Sequence, residues 1–433
     1  MSISLKPYIG SRDFYPDEMR FRSWMFSVQR KICSSYGYGE YSTPILEPLE
    51  LYAAKSSEEI VSDQLYRFTD RGDREVAIRP ELTPSLARIV SARAKELPVP
   101  IRMFNIGNFM RYERPGRGRL REFYQLNVDL IGSASASADV EIVSMGAEIL
   151  KGYGAKNQDF LIRISDRRLM SSYFSDLSSD SLRKLGRLLD KKEKISPEDF
   201  QKELLQVKDD KTFSEKVDSF LSLDLEGAFN LSEQEKLDSD AVMHLRQVIS
   251  DLEKLGFADC LKFDPAIMRG FDYYTGLIFE IYDTHPENRR ALFGGGRYDK
   301  LMGLFGKHDL PAVGFGMGDV TLENFLKIHE LIHEDTQNSA GIYLTLFSKE
   351  MMDHNMKIAA LLRAGGLEVE TSLEPTKKLG RQFEIAEKKN RKFAVVIGED
   401  EILNKMIRIK NLQTGEQKDV SEDDMVSVLR EGF

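Results

Sequence analysis

The sequence predicts an α/β protein of several domains, and three stretches carry that prediction. Near the start, Phe21, Met25, Val28 and Ile32 recur at i, i+4, i+7 and i+11, on one stripe of a helix that Gly37 and Gly39 end. Residues 123–132, FYQLNVDLIG, alternate with the period of two that a strand requires. After residue 340, GIYLTLF, LEVET and FAVVIG are short apolar strands separated by helical runs, the pattern of an α/β domain of about a hundred residues.

A chain of 433 residues with 41% hydrophobic side chains has room for about three packed domains. No window approaches the ~20 consecutive apolar residues of a membrane span, and the polar start MSISLKPYIGSRDF lacks the apolar core of a signal peptide. A soluble, cytoplasmic protein is expected. Its two cysteines, Cys33 and Cys260, are far apart and outside any CxxC pair, which excludes a disulfide framework and a cysteine zinc site. The net charge of −9 excludes a surface that binds nucleic acid everywhere but leaves room for a basic face on one domain.

In EYSTPILEPLELY, Pro44 and Pro48 suit an edge strand and its exit. On the strand at 123–132, Tyr124, Leu126, Val128 and Leu130 share one face; Phe123, Gln125, Asn127 and Asp129 share the other, a floor for a polar ligand. The stretch 170–238 is rich in Ser, Asp and Lys with helical patches, an inserted helical module in which Pro197 follows Ser196 as at a helix start. Strands resume at GLIFEIY. A polar linker from His329 to Ser339 precedes the last domain, which closes with the hairpin IRIKNLQTGEQKDV turning at Thr414-Gly415.

The densest candidate chemistry lies in RYERPGRGRLREFYQLNVD. Arg111 and Arg114 precede a Pro-Gly-Arg-Gly turn and Arg119 and Arg121 follow it, so two joined strands would aim several guanidinium forks at one polyphosphate. Neither a GxxxxGK[ST] loop nor a GxGxxG turn is present, so a nucleotide has to be held by side chains on a sheet. Farther on, RGFDYYTGLIFEIY offers Arg269, Asp272, Tyr273 and Tyr274. FGGGRYDKLMG adds Gly294, Gly295 and Gly296, which permit close backbone approach to a ligand, beside Arg297 and Tyr298.

Two further patterns compete for attention. HELIH, His329 to His333, fits HExxH, which on a helix aims two zinc ligands to one side with Glu330 as base; no third ligand follows at metzincin spacing, and no zinc site is expected. In KKLGRQFEIAEKKNRK, read as one helix, Lys377, Arg381, Lys388 and Lys392 fall within about 60°. Leu379, Phe383 and Ala386 lie opposite, so the run can pack on a sheet and offer its basic side to phosphates.

Along nearly its whole length the sequence resembles the class II histidyl-tRNA synthetases. GSRDFYPDE is similar to that family's opening, EYSTPILEPLELY to motif 1, RPELT to the segment holding the amino group of histidine, and RYERPGRGRLREFYQL to motif 2; RGFDYYTG and GGGRYDKL resemble the two histidine signatures. The resemblance implies a core on an antiparallel sheet flanked by helices (1–169 and 239–328), the helical insertion (170–238) and an α/β anticodon-binding domain (340–433). It also implies a homodimer that uses L-histidine, ATP with Mg²⁺, and tRNA(His).

Carried over residue by residue, Glu81 and Thr83 would accept hydrogen bonds from the substrate ammonium, and Gln125 would place the amino acid. Asp129, Tyr273 and Tyr274 would line the imidazole pocket. Arg111 and Arg269 would be the catalytic cations between carboxylate and α-phosphate, with Glu113, Arg119, Arg121 and Phe123 completing the ATP site. Lys377, Arg381, Lys388 and Lys392 would meet tRNA. Two positions depart from the family: Asp129 stands where glutamate is usual, and VGFGMGDVTLENFL offers Thr321 where motif 3 has an arginine. The rivals are a regulatory paralogue of histidine biosynthesis, supported by that missing arginine, and an HExxH metalloprotease.

Overall fold

The computed structural model describes residues 3–53, 63–192, 195–267, 274–288, 290–300, 303, 309–333 and 339–432. The chain divides into two compact units, Met1–Asp13 with Met25–Leu331, and Phe14–Trp24 with Ile332–Phe433.

The first unit contains strands β1 (Gly39–Glu40), β2 (Leu46–Pro48), β3 (Arg67–Thr69), β4 (Glu75–Ile78), β5 (Ile101–Met110), β6 (Glu122–Ile131), β7 (Phe160–Asp166), β8 (Leu261–Phe263), β9 (Leu277–Asp283), β10 (Ala291–Arg297) and β11 (Ala312–Gly318). Eight form one sheet in the order β1-β5-β6-β11-β10-β9-β7-β8, antiparallel except at its two margins. The prolines act as expected: Pro44 lies between strands, and Pro48 ends β2, an edge of the small sheet β2-β4-β3.

Helix Ala136–Gly152 closes one face of the large sheet. It packs closely there: a Cβ on its Gly146 would lie 3.0 Å from Phe293 and 3.4 Å from Ile281, and helix Ser239–Leu252 packs against this helix in turn. Helix Pro16–Ser35 ends two residues before Gly37, whose φ is +80°. Met25 and Cys33 are buried and Val28 and Ile32 partly so, the last two meeting Gly152.

Between residues 170 and 238 the described residues form helices Ser179–Lys191, Pro197–Val207, Lys211–Leu221 and Leu225–Glu233. Ser178, Ser196, Asp210 and Asp224 cap them, each side chain accepting from a first-turn amide that has no partner inside the helix. Phe174, Phe213 and Phe220 bury one another edge to face, which gives this segment an aromatic nucleus of its own.

The second unit is built on β12 (Ser339–Leu344), β13 (Val369–Thr371), β14 (Arg391–Val396), β15 (Met406–Asn411) and β16 (Gln417–Ser421), in the order β13-β12-β14-β15-β16. The first three are parallel, and the hairpin turning at Gly415 adds two antiparallel strands. Ile342, Leu344, Ile358, Leu362, Val395 and Ile407 form its core.

Here the structure corrects the single basic helix. The helix spans only Leu379–Lys388, and Asn390 at φ +53° turns the chain into β14. Arg381 and Lys388 are exposed on the helix, Lys377 precedes it, and Lys392 belongs to the strand with its ammonium over the Phe393 ring. Charge periodicity continued past the break because a turn of two residues leaves no trace in a count of lysines. Buried Gln382 ties the helix down, exchanging hydrogen bonds with both backbone groups of Leu346 and donating to Thr376 O.

The HExxH pattern is not helical either. Helix Asp319–Ile328 ends before His329, Glu330 sits at φ +55°, and residues 331–333 follow as coil. His329 instead meets Asp283 at 2.8 Å. Among the described residues no helix is long and apolar enough to cross a membrane.

Candidate active site

The site is a pocket on the open face of the large sheet, and β6 supplies its polar floor. Gln125, Asn127 and Asp129 line it as the period of two requires, while Leu126, Val128 and Leu130 are buried on the opposite face. Pairing with β11 sets Gln125 against Gly318, Asn127 against Gly316 and Asp129 against Gly314. Beyond them β10 brings Gly294 opposite Gly316 and Gly296 opposite Gly314.

These glycines make room. A Cβ on Gly316 would lie 2.5 Å from Gln125 Nε2, and one on Gly314 would lie 2.3 Å from Asp129 Oδ1. The triple glycine of β10 is strand rather than turn, and a Cβ on Gly296 would lie 3.0 Å from Tyr274.

Glu81, Thr83 and Arg111 form the adjoining wall. Glu81 precedes helix Thr83–Ala92, which carries Pro84 in its first turn, where the missing N–H costs nothing. Two arginines fasten this segment to β5: Arg79 donates to Asn108 O and Thr43 O, and Arg111 Nε donates to Pro80 O at 2.9 Å. Tyr274 completes the wall. Arg269 and Tyr273, with Asp272, lie outside the described residues.

At the floor's deep end Asp129 is buried and accepts the hydroxyl hydrogen of Tyr298. Burial pushes the Asp129 carboxyl up to about 7, and the Tyr298 hydroxyl offsets part of that rise. Tyr298 follows Arg297, whose guanidinium grips buried Asp139 through Nη2 at 2.8 Å and Nε at 3.1 Å and donates to Ser133 O. Arg297 therefore anchors the end of β10 and does not face the ligand. In the sequence reading Asn127 had only its place on the floor, and Tyr298 was noted beside the triple glycine without a role. The alternation Gly314, Gly316, Gly318 was a signal that could have marked their surroundings.

The four arginines of the β5–β6 hairpin do not converge. Arg111 lies over the Phe123 ring, and Glu113 links it to Arg119, at 3.9 and 3.2 Å. Arg121 turns away, donating to Tyr8 Oη and lying over the Tyr112 ring, while Arg114 is exposed. Arg121 is thus held between Tyr8 from distant sequence and Tyr112 of its own hairpin, apart from the Arg111–Glu113–Arg119 group. Thr321 donates to Leu292 O at 2.7 Å, and a Cβ placed on Gly118 of the hairpin loop would lie 3.4 Å from its methyl group.

The arrangement offers an acidic wall suited to an ammonium group, a buried carboxylate suited to a small ring N–H donor, and an arginine between them and an aromatic shelf. Comparison with known proteins gives the same direction. The family model described as histidyl-tRNA synthetase matches residues 10–321, and that described as anticodon binding domain matches 340–432. A histidine–tRNA ligase of Leptospira biflexa is 40% identical, covering 99% of this chain and 98% of its own. A chloroplastic/mitochondrial histidine–tRNA ligase of Arabidopsis thaliana is 36% identical over 98% of this chain and 86% of its own. The crystal structure of histidyl-tRNA synthetase from Nostoc superposes with a TM-score of 0.86 at 26% identity, covering 99% of this chain and all of that one. A Bacillus halodurans protein described as an ATP phosphoribosyltransferase regulatory subunit/histidyl-tRNA synthetase shares the fold at 23% identity, with a TM-score of 0.74 over 90% of this chain and 97% of that one. By sequence along its full length and by fold, this chain belongs to the histidyl-tRNA synthetase family.

Proposed function

We infer that this chain is a histidine–tRNA ligase, which activates L-histidine with ATP and transfers it to the 3′ end of tRNA(His). The observation that carries the reading is the joint placement of Glu81, Gln125, Asp129 and Arg111 around one pocket. Full-length similarity to histidine–tRNA ligases favours it over the regulatory paralogue.

In this reading the substrate ammonium lies between Glu81 and Thr83, and its imidazole N–H donates to Asp129 with Tyr274 alongside. Gln125 fixes the amino acid between these ends. Arg111 neutralises the carboxylate and the α-phosphate as they approach, Phe123 supports the adenine, and Glu113 and Arg119 serve the phosphates. A carboxylate oxygen attacks the α-phosphorus in line, the bond to the bridging oxygen breaks, and pyrophosphate leaves with its electron pair. A terminal ribose hydroxyl of tRNA then attacks the acyl carbon and AMP departs. Position and fixed positive charge drive both steps, and one such donor is typically worth ~3 kcal/mol of barrier. Arg269 and Tyr273, just before Tyr274, are proposed for the roles their motif implies.

The described residues present no cluster of three or more metal-ligating side chains, so Mg²⁺ arriving with ATP would be held chiefly by phosphate oxygens and water, as is usual for that ion. We further propose the domain division 1–169 with 239–328, 170–238 and 340–433, a homodimer, a cytoplasmic place of action, and Arg381 and Lys388 as contacts for tRNA.

Histidine-dependent exchange of labelled pyrophosphate into ATP tests the reading. Exchange with histidine and with no other amino acid is expected. Its absence, or equal exchange with glutamine, overturns it.

A further inference from the structure

The amino-terminal segment touches the nucleotide half of the pocket from outside. Gly10 O accepts the amides of Arg121 and Glu122 at 2.9 and 3.1 Å. Two residues on, Arg12 Nη2 lies 2.7 Å from Asp319 Oδ2, with Nη1 3.6 Å from Glu323. Asp319 opens the helix that follows β11; its side chain is 1% exposed, and its other oxygen accepts the Tyr124 amide at 3.0 Å. The amides on both sides of Phe123 are thus held either by this strap or by the carboxylate that its arginine neutralises. The same helical turn carries Thr321, whose methyl group would lie 3.4 Å from a Cβ placed on Gly118 of the hairpin loop. A buried carboxylate persists only when paired and hydrogen-bonded, so the order of this turn depends on Arg12.

We propose that Arg12 is a positioning residue for the nucleotide: acting through Asp319, it sets the Phe123 shelf and the loop above it, while the histidine end of the pocket lies beyond its reach. The proposal rests on the assignment of ATP to this half of the site.

Calorimetric titration of the full-length protein with ATP, and separately with histidine, tests it. Arg12→Gln is expected to weaken ATP about tenfold and to leave histidine within about twofold, because only one half of the pocket loses its support. In Arg12→Gln with Asp319→Asn, the asparagine keeps an oxygen for the Tyr124 amide and needs no cation, so ATP affinity returns most of the way. Unchanged ATP affinity in the single variant, an equal loss for both ligands, or no recovery in the double variant overturns the proposal. Should the single variant not fold, the double variant decides: affinity near the wild type supports the proposal and a tenfold loss overturns it. A wild-type protein that binds no ATP overturns the site assignment itself.

Discussion

Tyr298, one residue past β10, donates its hydroxyl hydrogen to Asp129 on β6, two strands away across β11. The pair fixes where a charge ends the floor, and it sets a pH dependence. Burial holds the Asp129 carboxyl near 7, so below that pH it is protonated and no longer a strong acceptor for an imidazole N–H.

Replacing Tyr298 by Phe removes the donor that favours the charged form. The acid limb of kcat/KM for histidine should then move upward by roughly one to two pH units, since a hydrogen bond to a charged group is worth about 1.5–3 kcal/mol and one unit is about 1.4 kcal/mol. The free substrate's own imidazole titration is common to both proteins, so the difference between the two profiles isolates the enzyme. Superimposable profiles would sink the assignment.

Gly316→Ala places a methyl group 2.5 Å from Gln125 Nε2 and forces that side chain aside. Misplacement on the scale of 1 Å can cost about a hundredfold, so histidine activation should fall by that order while the melting temperature barely moves. Steady-state exchange kinetics beside thermal unfolding read both. An equal collapse of the fold would mean that the glycine serves packing alone.

Reversing Arg381 and Lys388 to Glu alters two exposed charges on helix Leu379–Lys388. Pyrophosphate exchange should be untouched, KM for tRNA in charging should rise roughly tenfold, and the logarithmic salt slope of tRNA binding should become shallower by about 1 to 2. Charging that tolerates both reversals would remove this face from the interface.

Glu330 occupies a left-handed backbone position just past a helix end, where glycine is the unstrained residue. Glu330→Gly should leave aminoacylation intact and stabilise by about 0.5–1 kcal/mol, read as a small rise in melting temperature. Loss of activity in this variant would return Glu330 to the chemistry that the HExxH pattern suggested.

Much of the site was legible because it depends on local periodicity. Gln125 and Asp129 share a face by simple alternation, and Ser196 caps the helix that Pro197 opens, as its sequence surroundings lead one to expect. What escaped depends on which strands are neighbours. Tyr298 reaches Asp129 only because β11 is inserted between β6 and β10, and Arg121 leaves its hairpin companions for a tyrosine 113 residues away. The basic run misled for the opposite reason: its charges kept a helical spacing through Asn390, where backbone geometry had already changed.

The glycines beneath the floor have a consequence for how selectivity can change. The space over Gly314 and Gly316 is already taken by the side chains of Asp129 and Gln125, so any methyl group introduced there displaces a polar group that lines the pocket. Drift toward a different amino acid is therefore closed at those positions, and new specificity would have to arise at the walls.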